Sequence, residues 1–498
     1  MKRSLFSVFT VLIVVGVILS ACAPGATPTE APAGPAPTEA PAEPGAPTEA
    51  PAAVEKTVTI GFTSSLTGSQ EVSSKRQVAG LNLWMQQVND GGGIKLSDGT
   101  VVKVTAQTYD DESNKERVQE LYTRLITEDN ADFLISPYSS GLTAAASIIA
   151  EQNGKVMLTA GAAEDDAYKT GNTSLFQLYT PGSQYLLSTV DMLKKLDPEA
   201  KVAVVHENDK FSTSVVEGLK PYLESEGFEI VLEEGYASET TDFGPVINKI
   251  VESGATVLLG GGHYPDGSTF ARQLYERKVG LKFVSLLVAP ADSKFPELGD
   301  AALGISTSSQ WELAATHTPE EAAALGKTWY GPTGEEFAAA YEAATGDKPT
   351  YHVAGGYAAG LVLQKAIEDA DSVDPAEVKA ALEAMDIFTF YGGIKFDTTP
   401  EAHGLQTGHQ MVVAQWQKDD TGALVRKVIW PTDVANAEPL YPVPAPQQFT
   451  GLPAGAGAQR PAPEPYSGAE TCSNSISYWH HYPTAFFWVL SMDWQPWG

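Results

Sequence analysis

The chain has 498 residues, 62 of them Asp or Glu against 32 Lys or Arg, for a formal net charge of -30 at pH 7. So acidic a composition argues against nucleic acid or anionic lipid as the recognised partner, since basic patches meet both, and its simplest consequence is solubility. Two cysteines, Cys22 and Cys472, are too few for a disulfide framework.

Lys2 and Arg3 precede an apolar run from Val8 to Leu19, which is shorter than a membrane-spanning helix and sits where a secretory signal places its core. Residues 1–21 are therefore expected to be an export signal. It ends in Leu19-Ser20-Ala21-Cys22, which resembles the lipobox of bacterial lipoproteins and implies lipidation of Cys22. Ordinary cleavage, with Cys22 incidental, is the alternative. Residues 22–54 are almost entirely Ala, Pro, Thr, Glu and Gly, with "PTEAPA" recurring at Pro28, Pro37 and Pro47. Such a stretch has no apolar surface to bury and reads as a semi-stiff tether. With Cys22 acylated, Cys472 has no partner, and the core holds by packing alone.

From Glu55 to Pro444 there is room for two ordinary domains. "TVTIGFTSSL" reads as a strand, Val78 to Asn89 as a helix, "VVKVTAQTYDD" as a strand and "RVQELYTRLI" as a helix. The alternation continues through "DFLISP" and a helix near Leu142, then "KVMLTAG" and a loop. "KVAVVHEND" leads to a helix over 213–225, "FEIVLEEGY" to one over 244–253, and "ATVLLGGG" to one over 268–277. Strands that are apolar throughout and separated by helices imply parallel sheets covered on both faces. The expected class is α/β with two lobes. In open α/β sheets ligands sit beyond the carboxyl ends of the strands, where "SPYSSG", "TAGAAEDD" and "GGGHYPDG" fall.

The hydroxyls of "SPYSSG" pose the functional question. No serine carries the flanking glycines of a nucleophile elbow, and neither Gly-Lys pair has the earlier glycine of a phosphate loop. No His-x-x-x-His or Cys-x-x-Cys spacing supports a sequence-local metal site. Two readings remain for Ser139 and Ser140: caps of the following helix, or a clamp for a ligand oxygen aided by the positive end of that helix.

Taken in order, "IGFTSSLTGSQEVSSKRQVAGLNLWMQQVNDGGGI", "YDDESN", "SPYSSGLTAAASIIAEQNGKVMLTAG" and "VAVVHENDKFSTSVVEGLKPYLESEGFEI" resemble the type I periplasmic substrate-binding proteins of ABC importers, in the leucine/isoleucine/valine receptor branch. The likeness runs from about Val58 to Pro444. It implies two Rossmann-like lobes joined by three hinge crossings, with lobe 1 over 55–180 and 310–385 and lobe 2 over 181–309 and 386–444. It also implies a receptor without cofactor or catalysis, a monomer that hands a small polar solute to a permease. An amino acid, branched-chain above all, is the first ligand class; an amide, a urea-like molecule or a carboxylate is the alternative. An enzyme or a ligand-sensing regulator on the same fold is the rival function.

By the same resemblance Tyr138, Ser139 and Ser140 face the ligand, Gly161 and Ala162 offer backbone, and Ala163 stands where relatives carry a threonine. Phe211 and His263 or Tyr264 supply the second lobe's walls. Pro290 or Ala291 occupies the place of the acid that meets a ligand ammonium, leaving Asp292 as the nearest carboxylate. A buried ammonium without a carboxylate is costly, so amino-acid binding would need Asp292 or another acid to reach it. His263 either pairs with a ligand carboxylate or sits over Tyr264. Residues 445–498 fall outside the resemblance: a Pro/Gly-rich stretch leads into "YWHHYPTAFFWVL", an aromatic patch for a partner or membrane, a segment docked on the protein itself, or a product of a shifted frame.

Overall fold

The computed structural model describes residues 54–444. The readings of the signal, tether and aromatic tail, with Cys22 and Cys472, lie outside the described residues.

The first sheet has the order β2-β3-β1-β4-β5-β6. Its strands are β1 (Glu55–Ser64), β2 (Ile94–Lys95), β3 (Val101–Asp110), β4 (Phe133–Ile135), β5 (Met157–Thr159) and β6 (Leu175–Gln177). All pairings are parallel except β2 with β3. A second sheet is formed by β7 (Lys201–Glu207), β8 (Glu229–Tyr236), β9 (Val257–Gly261), β10 (Phe283–Leu286) and β11 (Ile305–Ser309). After a three-stranded ribbon of β12 (Thr328–Trp329), β13 (Asp386–Thr389) and β14 (Gly392–Lys395), β15 (Val412–Lys418) and β16 (Leu424–Trp430) add antiparallel to it, giving β16-β15-β11-β10-β9-β7-β8. The central strands β4, β5, β9 and β10 are buried at every position, as sheets covered on both faces require.

Helices α1 (Glu71–Asp90), α2 (Lys115–Thr127) and α3 (Ser140–Gln152) serve the first sheet. In α2 the buried residues Val118, Leu121, Tyr122 and Leu125 fall at helical spacing, and Asn114 caps the start. Helices α4 (Leu187–Leu196), α5 (Lys210–Ser225), α6 (Gly244–Ser253) and α7 (Tyr264–Glu276) serve the second. The α7 helix starts before the expected 268, because Pro265 lies in its first turn, where a missing N–H costs nothing. Helices α8 (Pro319–Ala324), α9 (Gly334–Thr345), α10 (Tyr351–Ala370) and α11 (Pro375–Ala384) follow. The α10 helix is nearly all buried and lies on α1, where Gly80 and Gly356 each leave no room for a Cβ.

The chain crosses between the lobes three times: from β6 to β7, from β11 to the ribbon, and from β14 to β15, the ribbon's segment lying with the first lobe because its α10 packs on α1. The result is two Rossmann-like lobes. Residues 386–395, placed above in lobe 2, pair with β12, and Gly404 accepts the Gln177 N–H at the β6 edge. The last passage therefore follows this segment and precedes Val412.

Candidate functional site

On the first-lobe side, β4 ends at Ile135 and the chain turns through Ser136 to Tyr138 into α3. Ser139 is the helix cap: its Oγ accepts the Leu142 N–H at 3.3 Å, and its own N–H donates to Gly161 O at 2.9 Å. It adopts φ 87°, a region few side-chain-bearing residues visit. Ser140 Oγ accepts the Ala163 and Glu164 N–H groups, both at 3.2 Å, and so fixes the loop after β5. The Tyr138 hydroxyl shares a 3.3 Å hydrogen bond with His352 Nε2. Burial, followed by the charges of Arg76, His263 and Arg426, lowers the His352 pKa to about 3, so this imidazole is neutral.

The second-lobe side is charged. Asp209 caps α5 through the Ser212 N–H at 2.8 Å, and its other oxygen bonds His263 Nε2 at 3.0 Å. His263 is the residue before α7 and is 4% exposed. Burial alone would depress its pKa. The hydrogen bond and charge of Asp209, with Glu207 and Asp266 behind it, more than offset this and hold it up to about 9. Burial likewise opposes the Asp209 charge, but the His263 hydrogen bond and charge and the Ser212 N–H bring its pKa down to about 2. His263 is therefore an imidazolium at neutral pH. Its Nδ1 is buried and has no partner.

These two sides meet in one pocket lined by Tyr138, Ser139, Ser140, Gly161, Ala163, Phe211 and His263. Tyr179, Tyr185, Val288 and Tyr351 also line it, and the sequence reading missed them. They sit at the first crossing, after β10 and at the start of α10, and only the aromatic content of "QLYTPGSQYL" could have hinted at the first two. His263 lies edge-on to Tyr138 at 6.0 Å and beside Phe211 at 5.6 Å, so it does not rest on Tyr264. Ala162, Tyr264 and Asp292 do not line the pocket. Asp292, 1% exposed, instead faces Arg76 Nε of α1 at 3.6 Å, and Arg76 also donates to Ser293 Oγ at 2.7 Å and Asp347 Oδ2 at 2.5 Å. Asp292 is thus drawn into a bridge between the lobes. Glu164 makes a second bridge, to Lys210 at 3.2 Å.

The pocket's chemistry follows from which lone pairs and protons are left over. Ser139 and Ser140 already accept backbone N–H groups, so each retains a proton to donate. The free Nδ1 of an imidazolium is also a donor. None of the lining residues is acidic. The N-termini of α3, α5 and α7 all approach this cleft, adding partial positive charge. About 10 Å³ is open to the centre of a water-sized sphere, room for about one water, so the lobes must part to admit a solute. A roomier groove of about 250 Å³ beside Leu281, Val443 and Pro444 has no comparable convergence of donors.

Two parallel-sheet lobes, three crossings and a cleft armed with donors from both sides define a hinged solute receptor. A family model described as periplasmic binding protein matches residues 57–422. Leu/Ile/Val-binding protein homolog 7 of Brucella suis is 26% identical over 406 residues, 79% of this chain and 96% of its own length. The leucine-, isoleucine-, valine-, threonine- and alanine-binding protein of Pseudomonas aeruginosa is 22% identical, with 74% of this chain and 92% of its own covered. Among solved structures, a branched-chain amino acid transporter substrate binding protein from Streptococcus pneumoniae, in complex with isoleucine, matches with TM-score 0.61 and 20% identity, covering 76% of this chain and all 100% of that one. A solute binding protein of an ABC transporter from R. palustris, in complex with 4-hydroxybenzoate, matches with TM-score 0.63 and 18% identity, covering 75% and 96%. The chain belongs to the periplasmic binding proteins, in the branch of Leu/Ile/Val-type receptors. Membership implies an extracytoplasmic location and a role in binding a small solute for an ABC transporter.

Proposed function

We propose that this receptor takes a small organic monocarboxylate with a flat apolar body, of the benzoate type, in preference to an α-amino acid. The observation that carries this reading is a set of donors with no carboxylate beside them: Ser140, whose Oγ already accepts two N–H groups, Ser139, whose Oγ accepts one, a buried and unpartnered Nδ1–H on the His263 imidazolium, and no acid among the lining residues. A carboxylate satisfies such donors. An ammonium would meet none of the carboxylates it needs, because Asp292 is paired with Arg76 outside the lining. Tyr138, Tyr179, Tyr185, Phe211 and Tyr351 supply aromatic walls suited to stacking or edge contact with a ring. Gly161 and Ala163 supply backbone beside Ser140, and the loaded cleft is wider than the present one. Capture proceeds by lobe closure, which gives the permease a geometric signal that the receptor is filled. In the same reading Cys22 carries a lipid anchor, residues 22–54 hold the receptor off the membrane, and it acts as a monomer.

Calorimetric titration with benzoate, 4-hydroxybenzoate, leucine and isoleucine tests the ligand class. Saturable binding of a benzoate, at least about a hundredfold tighter than either amino acid, is expected from the missing ammonium partner. Tighter binding of leucine or isoleucine would overturn it. The anchor is tested by Cys22→Ser, which should move the protein from the membrane to the soluble fraction with ligand affinity unchanged.

A further inference from the structure

Around His263, with carboxylates that do not line the pocket, four ionisable side chains gather at the carboxyl edge of the second sheet. Glu207 ends β7, Asp209 caps α5, His263 precedes α7, and Asp266 lies in α7's first turn. One oxygen each from Glu207 and Asp209 and a ring nitrogen of His263 lie within 4.8 Å of one another. Ligands about 2.0 to 2.2 Å from one zinc lie closer together than this bound, so the three side chains would draw in slightly to share an ion.

Two further observations point into the same space. Glu207 is 7% exposed, and its Oε2 is buried without a hydrogen-bond partner. An orphaned carboxylate oxygen in such a place is costly unless something positive comes to it. Gly262 presents bare backbone at this point: a Cβ there would lie 2.4 Å from Glu207 Oε2 and 2.5 Å from Asp266 Oδ2. Both oxygens therefore converge on a space kept free of side chain. Tyr236 donates to the same oxygen of Asp266 and holds it in place.

Charge completes the case. Three carboxylates and one imidazolium sum formally to -2, and Glu207, Asp266 and His263 are all more than nine-tenths buried. A divalent ion would neutralise that charge. One imidazole nitrogen with carboxylate oxygens is a donor set for zinc, whereas calcium and magnesium favour oxygen alone.

We propose that Glu207, Asp209 and His263 form a zinc site, with Asp266 as a further carboxylate at its edge. Zinc takes His263 Nε2 in place of the hydrogen bond to Asp209, and the displaced proton leaves to solvent. His263 Nδ1 keeps its proton and remains a donor to the pocket. The ion would thus fix which nitrogen faces the solute. Asp209, only partly buried, gives the ion its path from solvent.

The test uses the full chain, stripped with chelator and dialysed against zinc at micromolar free concentration, with metal content read by elemental analysis and affinity by calorimetry. One zinc per chain is expected, bound more tightly at pH 8 than at pH 6. Glu207→Gln should weaken binding about a hundredfold, and His263→Gln should abolish it, with melting temperatures of the zinc-free proteins recorded for each variant. Zinc held equally well by both variants would mean adventitious binding, for instance at His480 and His481, and would overturn the proposal. So would no zinc retained by the unaltered chain. Should Glu207→Gln fail to fold, His263→Gln decides the matter. The outcome is independent of which solute binds, since no benzoate or amino acid is present.

Discussion

The two walls of the cleft recognise in different ways. The first-lobe wall is neutral: Ser139 and Ser140 are locked by backbone N–H groups, and His352 behind Tyr138 is held uncharged. The second-lobe wall carries an imidazolium balanced by Asp209 and backed by Glu207 and Asp266. One wall therefore selects by fixed geometry and does not titrate near neutrality, while the other selects by a charge that can be removed. Closure brings both to the same solute, so affinity measures them together and mutation can separate them.

The largest effect should come from the charged wall. His263→Ala removes a charge-assisted donor and leaves Asp209 without its partner, so the affinity for 4-hydroxybenzoate should fall about a hundredfold or more. The pH profile gives the sign. Because the folded pKa of His263 is raised to about 9 from an ordinary 6.5, its stabilising share is complete below 6.5 and is lost as pH rises through about 9. Asp209, lowered to about 2 from 3.8, contributes above 3.8 and loses its share as pH falls through about 2. Urea unfolding from pH 6 to 10 should show declining stability in the native chain and a flatter curve in His263→Ala. A profile unchanged by the mutation would remove the charge from the recognition argument.

On the neutral wall, the double change Ser139→Ala with Ser140→Ala deletes two donors at about 1 kcal/mol or more each. Affinity should fall about ten- to a hundredfold, with no dependence on pH between 6 and 8. If apo stability falls while affinity holds, the serines are caps and staples only. A smaller effect is expected from the bridge that joins the walls. Arg76→Ala frees Asp292 and Ser293, and the open form can rehydrate Asp292, so about a tenfold loss is expected, expressed as faster solute release. Stopped-flow dissociation measures it; an unaltered off-rate would show that the bridge is incidental to closure.

The fold was readable because its parallel strands are uninterrupted apolar runs, such as "KVAVVHE" and "VLLGG", separated by helices with clear caps. Helix starts were less readable: α5 begins at Lys210 because Asp209 caps it, and α7 begins at Tyr264 because Pro265 is harmless in a first turn. For the site, strand ends together with the family resemblance pointed to Tyr138, Ser139, Ser140, Gly161, Ala163, Phe211 and His263, which share one pocket. Asp292 illustrates what local reading misses. It stands beside the place of a ligand acid in the related receptors, but its environment is set by Arg76 on a helix from the other lobe, and no spacing rule announces that meeting. Tyr179, Tyr185 and Tyr351 were missed for a related reason: among 19 tyrosines, nothing local says which ones the crossings bring to the cleft.

The finest division lies within a single residue of the neutral wall. Ser139 combines three roles: it caps α3, it holds φ 87°, and it keeps one proton for a solute. Alanine and glycine remove the hydroxyl equally, so both variants should lose the same affinity, about three- to tenfold for one neutral donor. They should differ in stability. Alanine loses the cap, at about 1 kcal/mol, and retains the strained backbone, because its Cβ meets the same steric conflict as that of serine. Glycine adopts positive φ at little steric cost and is itself tolerated as a cap, so its loss should be within a few tenths of a kcal/mol of zero. Urea unfolding of the two apo variants, beside calorimetry with 4-hydroxybenzoate, measures both quantities. Equal stabilities would mean that the backbone at 139 relaxes out of positive φ once the hydroxyl is gone. In that case the conformation that aims Ser140 at the loop after β5 is maintained by the cap, and alanine should then lose more affinity than glycine.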